Sequence, residues 1–283
     1  DVWSTLYSTD GSTIVRNHGF NFGQDQQLAG AALSNGFEVY AWSEGLEGSR
    51  DIYAQVRSAD GSVFTPRFQI NSGLTAGDQL LPRVIGLGDD RFATVWMDVN
   101  TFTYAFAIHS LTGAVVKSPA ALSGTTASFP GESNNEFGMT VLDNGNFAIA
   151  YSMFVGAKFE AVLTIINRDG NPVLPQTDIN SAVLGGDEIR PDIAALADGR
   201  LVAVYERNGG SFGVFFGADG TQGSGFAIGD IRGPRVAALS DGRFMVVGVD
   251  VNTGHVMGRM YFASGSPDGG LFQISDVPTG LDW

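Results

Sequence analysis

The residues of this sequence best suited to chemistry are carboxylates that recur at one place in a repeated pattern. An aspartate precedes a short apolar run at Asp25, Asp78, Asp187, Asp230 and again at Asp282. Carboxylates gathered at one end of a repeat array would collect a cation or accept the hydroxyls of a sugar. Singly, each also makes a good acceptor for turn backbone. Arginines stand beside them: Arg83 and Arg235 hold the same position in two repeats, with Arg190 and Arg232 close by. A guanidinium fork matches a carboxylate bidentately, so Arg83, Arg190 and Arg235 would either clamp an acidic ligand or neutralise neighbouring aspartates. The candidate ligand-binding set is therefore Arg83, Arg190, Arg235, Asp78, Asp187 and Asp230. Two identical tetrapeptides, Asp98-Val-Asn-Thr101 and Asp250-Val-Asn-Thr253, supply the metal candidates Asp98, Asn100, Asp250 and Asn252. Calcium is the cation that such hard oxygen ligands suit, yet it takes roughly six to eight oxygens and each loop offers two side chains.

Other catalytic patterns are missing from the sequence. His18, His109 and His255 fall in different repeats, and neither a His-x-x-x-His pair, a serine nucleophile elbow nor a phosphate loop is present. The absence of cysteine removes thiolate chemistry and disulfides. Any two of the 30 acidic residues could meet as a glycosidase pair, but nothing in the sequence selects two of them. No catalytic residue is assigned. Repeated polar positions favour multivalent binding over the single asymmetric constellation that catalysis needs.

What must position these residues is a repeat. A strand, a tight turn and a second strand recur five times, with turns at Gly36, Asp90, Gly145, Gly199 and Gly242, spaced by 54, 55, 54 and 43 residues. A second hairpin follows each, turning at Asp60-Gly61, Thr112-Gly113, Asp169-Gly170, Asp219-Gly220 and Ser264-Gly265. A sixth, unpaired copy turns at Asp10-Gly11. Asn-Gly and Asp-Gly between apolar runs predict type I′ turns, which need positive φ at both central residues. Four antiparallel strands in about fifty residues is the arithmetic of a β-propeller blade. The continuous apolar runs Leu201–Tyr205 and Phe244–Val247 suit strands buried on both faces. Trp42, Trp96, Tyr151 and Tyr205 close the second strand of four successive repeats and read as inter-blade core or, alternatively, as sugar-stacking platforms. The fold class is all-β: five complete blades plus an N-terminal half-blade in one domain over 1–283. The half-blade covers 1–23, the blades 24–76, 77–129, 130–184, 185–229 and 230–277, and a tail 278–283. A six-bladed ring with an incomplete sixth blade is favoured over a five-bladed ring with an extra hairpin. The chain starts at Asp1 and stops where another inner strand is due, which suggests a processed form or a piece of a longer protein.

With 39 glycines in 283 residues, a formal charge of −14 and only two lysines, the composition suits turn-rich β structure and disfavours nucleic acid or anionic lipid. No apolar run reaches the roughly eighteen residues of a membrane span.

The unit running Ile52-Tyr-Ala-Gln55, Asp60-Gly61, Phe68-Gln-Ile-Asn-Ser72, Gly77-Asp-Gln79, Pro82 and a hairpin ending at Trp96 resembles the tandem repeats of large secreted proteobacterial proteins. Those repeats often accompany hemolysin-type (RTX) modules. The third repeat departs most, with Gly131–Glu136 in place of the Gly-Asp-Gln segment. The resemblance implies a secreted or cell-surface bacterial protein with an adhesive or binding role, and it transfers no catalytic residue. Six-bladed sialidases also use an arginine cluster, but their Ser-x-Asp-x-Gly-x-Thr-Trp turn is not matched by Ser8–Thr13 or Ser58–Ser62. The expectation is a non-catalytic, lectin-like module that takes a glycan or a protein at one end of the ring. Alternatives are a rigid interaction platform and, last, a carbohydrate-active enzyme. The open half-blade edge suggests dimerisation.

Overall fold

In the computed structural model, residues 27–33, 36–122, 137–180 and 185–275 are described in full, and Val2–Tyr7 and Thr13–Phe20 as backbone strands. The turn at Asp10-Gly11, Asp25, Asp282, the 131–136 segment and the 278–283 tail lie outside the described residues.

Five four-stranded antiparallel sheets and one two-stranded hairpin make up the described chain, each sheet a meander in sequence order. The chain divides into two compact units, 1–122 and 123–283. The first holds the hairpin β1 (Val2–Tyr7) and β2 (Thr13–Phe20), then β3 (Leu28–Ala32), β4 (Glu38–Glu44), β5 (Asp51–Arg57) and β6 (Val63–Gln69) as one sheet. Its second sheet is β7 (Gln79–Gly88), β8 (Arg91–Asp98), β9 (Thr103–Ser110) and β10 (Val115–Ala121). The second unit holds three sheets. They are β11 (Phe137–Val141) to β14 (Pro172–Asp178) with β12 (Phe147–Val155) and β13 (Lys158–Ile166) between, then β15 (Glu188–Ala195), β16 (Leu201–Arg207), β17 (Gly210–Phe216) and β18 (Gln222–Gly229). The last sheet is β19 (Ile231–Ala238), β20 (Phe244–Asp250), β21 (Val256–Tyr261) and β22 (Phe272–Gln273).

The apolar runs go where two-sided burial requires. Middle strands such as β8, β9 and β16 are buried along nearly their whole length, whereas outer strands such as β6 and β10 are mostly exposed. In the first unit, Val39, Ile52, Val56, Phe92 and Trp96 join one core between its two sheets. In the second, one core joins Leu163, Ile193, Leu201 and Phe216, and a further one joins Val204, Phe215, Phe244 and Tyr261. Trp42, Trp96, Tyr151 and Tyr205 are all at most 2% exposed, so these aromatic rings are core and offer no platform to a sugar.

The hairpins form where the turn residues predict them, but mostly by a different turn. In the loop Leu142–Asn146 the Gly145 N–H donates to Leu142 O and the Leu142 N–H to Asn146 O, and the same pair of bonds closes Leu196–Arg200 and Leu239–Arg243. Only the glycine of each has positive φ (Gly145 80°, Gly199 83°, Gly242 87°). That is a type I turn completed by a glycine bulge, so the type I′ expectation is corrected: the added residue lets the Asp or Asn stay right-handed. The exceptions are Asp89-Asp90, with φ of 49° and 58°, and Asn208-Gly209, with φ of 51° and 81°, two-residue loops with both positions left-handed.

Among the described residues no helix is long and apolar enough to cross a membrane.

Candidate active site

Two first strands, β7 and β15, are entered through a Gly-Asp segment whose aspartate accepts a backbone N–H from the preceding sheet. In the first unit the Arg50 N–H donates to Asp78 Oδ1 at 2.9 Å, and in the second the Phe159 N–H donates to Asp187 Oδ1 at 2.9 Å. The two junctions share their backbone bonds and register. Ile70 and Ile179 donate to the carbonyls of Ile52 and Ala161, and Tyr53 pairs with Gln69 as Val162 pairs with Asp178. Asp51, Gln69, Asn71, Gln79 and Trp96 thus correspond to Glu160, Asp178, Asn180, Glu188 and Tyr205.

In the first unit this junction is a closed amide network. Asn71 Nδ2 donates to Asp51 Oδ1 (2.8 Å) and its Oδ1 accepts the Ile52 N–H (2.9 Å). Gln79 Oε1 accepts the Trp96 indole N–H (2.7 Å), and Gln79 Nε2 donates to Ala76 O (3.1 Å). In the second unit two of the amides are acids, so the network holds three carboxylates where its counterpart holds one. One carboxylate oxygen each from Glu160, Asp178 and Glu188 lies within 4.8 Å of the other two. Glu188 is only 2% exposed, while Glu160 and Asp178 are half-buried.

Acceptors now outnumber donors. Asn180 Nδ2 donates to Glu188 Oε1 at 3.2 Å, but Glu188 Oε2 is buried with no hydrogen-bond partner. Burial pushes the Glu188 carboxyl up from 4.5 to about 6, Asp178 and Glu160 add repulsion, and the Asn180 amide and Ala161 N–H pull the other way. Its neighbours are held differently: the Asn180 N–H donates to Asp178 Oδ1 at 2.7 Å, and Lys158 Nζ sits 2.6 Å from Glu160 Oε1. That bond raises the Lys158 pKa. The Tyr205 hydroxyl is pushed up to about 12 by burial and then by Glu188, so it stays a neutral phenol. A buried acid that keeps its proton beside two carboxylates is the arrangement that divides acid from base roles.

None of the residues singled out from sequence belongs to this cluster. Asp187 adjoins Glu188 but its carboxylate caps Phe159. Asp78 is spent on Arg50, with a further ion contact at 3.7 Å. Asp230 is exposed, and its carbonyl accepts the Val251 N–H. Arg83 and Arg235 do share a register position, opposite Val95 and Val247, but Arg83 belongs to the first unit and Arg235 to the second. Arg190 holds φ of 53° and its Nη1 donates to buried Glu206 at 2.9 Å, the same carboxylate oxygen that accepts the Gly233 N–H at 3.1 Å. Of the metal candidates, Asp98 Oδ1 accepts the Asn100 and Thr101 N–H groups, and Asp250 Oδ1 accepts those of Asn252 and Thr253. Asn100 and Asn252 are exposed. The three acids that do converge were missed, although aligning Gly77-Asp78-Gln79 with Gly186-Asp187-Glu188 shows the exchange of amide for acid.

No family model and no curated protein matches this chain. Solved structures do. The α-L-arabinanase of Penicillium chrysogenum, complexed with arabinobiose, matches over 94% of this chain and 86% of its own at 17% identity, with a TM-score of 0.58. The Dos1 propeller matches over 97% and 66% at 11% identity (TM-score 0.57). The fold is a β-propeller. A Hadza microbial sialidase matches over 88% of this chain at 11% identity (TM-score 0.54), and the propeller described here spans 57% of that sialidase's length. Glycoside hydrolases prevail among such neighbours, an α-L-arabinofuranosidase of Fusarium graminearum among them. This overturns the expectation of a non-catalytic, lectin-like or adhesive module, and with it the expectation that the protein is not an enzyme. Sequence reasoning weighed the repeated polar positions and passed over Gly186-Asp187-Glu188, where an acid stands in the place of Gln79.

Proposed function

We propose that this protein is a glycoside hydrolase whose acid–base chemistry is done by the carboxylates of the second unit. The observation that carries the reading is Glu188: a buried carboxyl, protonated up to about pH 6, beside Glu160 and Asp178. Cleavage of a glycosidic bond needs such a pair, one acid to protonate the leaving oxygen and one carboxylate to meet the oxocarbenium-like carbon. Glu188, the most buried of the three, supplies the proton, and the half-buried Asp178 and Glu160 supply the carboxylate. Likeness of fold to arabinanase and sialidase structures supports the reading as analogy.

The test is hydrolysis of linear arabinan and of a panel of 4-nitrophenyl and 4-methylumbelliferyl glycosides, with α-L-arabinofuranoside and sialoside as the first members. Turnover with an alkaline limb near pH 6, lost in Glu188→Gln, is the expected result. Absence of product from every glycoside with folded protein would overturn the proposal.

A further inference from the structure

We infer that Glu160, Asp178 and Glu188 hold one hard divalent cation, with calcium as the type, and that the bound cation inhibits hydrolysis; only this second part rests on the hydrolase reading. Calcium binds oxygen at about 2.3–2.6 Å, so two oxygens on one ion stand at most about 4.6–5.2 Å apart. One carboxylate oxygen from each of the three acids meets that limit, all lying within 4.8 Å of one another. One oxygen per residue is what sharing an ion requires. Glu160 stands on β13, Asp178 ends β14 and Glu188 opens β15, so an ion there ties two sheets together.

A gathering of acids does not make a site, and the second observation is the buried end of Glu188. Its Oε2 has no hydrogen-bond partner, in a residue only 2% exposed. A buried acceptor without a donor costs free energy, and a cation among the three carboxylates supplies the missing positive partner. At the matching place in the first unit, Gln79 has both polar atoms paired, Oε1 with the Trp96 indole and Nε2 with Ala76 O. Glutamate there removes a donor and adds a charge. The loops first picked from sequence lack this opening, because Asp98 Oδ1 and Asp250 Oδ1 each already accept two backbone N–H groups.

Charge fits a divalent ion. The Lys158 ammonium, 2.6 Å from Glu160 Oε1, offsets one of the three carboxylates and leaves two negative charges. The Asn180 N–H holds Asp178 through Oδ1 and its amide holds Glu188 through Oε1, so the ligands are oriented by one short loop. Three carboxylates supply up to six of the six to eight oxygens that calcium takes, with water for the rest. A carboxylate that ligates an ion carries no proton. Glu188 then has none to give a leaving oxygen, and Asp178 and Glu160 face the ion instead of a sugar carbon.

The experiment titrates calcium chloride into the chelator-treated chain at pH 7 by calorimetry, with thermal unfolding alongside. One ion per chain with a Kd below about 1 mM is expected, together with an unfolding midpoint that rises with calcium. Glu188→Gln places the residue of the first unit's junction, and Asp178→Asn keeps an acceptor for the Asn180 N–H, so both should fold, as circular dichroism would show. Each is expected to weaken binding at least about tenfold, while Asp98→Asn and Asp250→Asn leave it unchanged. No heat and no midpoint shift at about 10 mM calcium, binding that survives Glu188→Gln, or binding lost in Asp250→Asn instead would overturn the site and leave the hydrolase reading standing. With an active aryl glycoside of the panel, turnover is expected to fall with the calorimetric Kd and to return with chelator. Full turnover with calcium bound would overturn the inhibition and remove these carboxylates as acid and base. No turnover of any glycoside overturns the hydrolase reading and leaves the cation site, which calorimetry reads without substrate.

Discussion

Replacing Glu188 by glutamine should make the second unit more stable, and only above a definite pH. The carboxyl titrates near 4.5 when the chain is unfolded and near 6 in the fold. Between those values the folded state binds more protons than the unfolded one, so wild-type stability falls as pH rises through the window. Below about 4.5 the acid is neutral in both states and costs nothing extra. Above 6 it is ionised in a place that disfavours the charge, and a displacement of that size corresponds to about 2 kcal/mol. Glu188 is 2% exposed, so solvent screening does not erase the cost. Glutamine is the residue that the matching junction of the first unit carries, buried and hydrogen-bonded, as Gln79. The variant and wild type should therefore match at pH 4 and diverge to about 2 kcal/mol by pH 7, with the variant the more stable and without activity. Hydrogen exchange on peptides from β13 and β15 reads this locally, which matters because a chain of two compact units need not unfold in one step. A difference that is flat from pH 4 to 7, or a variant less stable at pH 7, would refute the account of Glu188.

Three further outcomes follow from other parts of the molecule. His109 is buried between Phe68 and Phe92 with both ring nitrogens unpartnered, and burial lowers its pKa from 6.5 to about 4; the first unit should be fully stabilised above pH 6.5 and lose about 3 kcal/mol as pH falls to 4, read by Trp42 and Trp96 fluorescence in urea, and His109→Leu should flatten that slope. Asp187→Ala removes the acceptor of the Phe159 N–H and should cost about 1 kcal/mol in unfolding free energy, with kcat reduced only as far as Glu188 shifts. A Cβ at Gly138 would lie 2.7 Å from the Cα of Asp192, so Gly138→Ala should destabilise the second unit by about 1–3 kcal/mol, seen as a lowered urea midpoint.

The strands were legible because turn chemistry and apolar runs are local: the hairpins closing at Gly145, Gly199 and Gly242 announce themselves within five residues. The turn type was less legible, since Asp-Gly serves a glycine-bulged type I turn as readily as a type I′ turn. The repeated aspartates were visible as a series, and the structure shows Asp78 and Asp187 accepting the same backbone N–H in two junctions. The carboxylate cluster was harder to see, because Glu160, Asp178 and Glu188 stand on three strands, two from one sheet and one from the next. Their meeting is a property of sheet packing. Its trace in sequence is a departure from the repeat, Glu188 for Gln79 and Asp178 for Gln69, and a search for recurrence discards departures.

That departure gives the molecule an unusual resource for engineering. The first unit retains the same junction in amide form, with the same backbone bonds and a buried aromatic at the same place, so it is a blank on which the second unit's chemistry can be written. Asp51→Glu, Gln69→Asp and Gln79→Glu would transplant the three acids into a frame that already holds Asn71 where Asn180 stands. A chain altered in this way, with Glu188→Gln in the original place, would separate what the three carboxylates do from everything else that distinguishes one sheet from another.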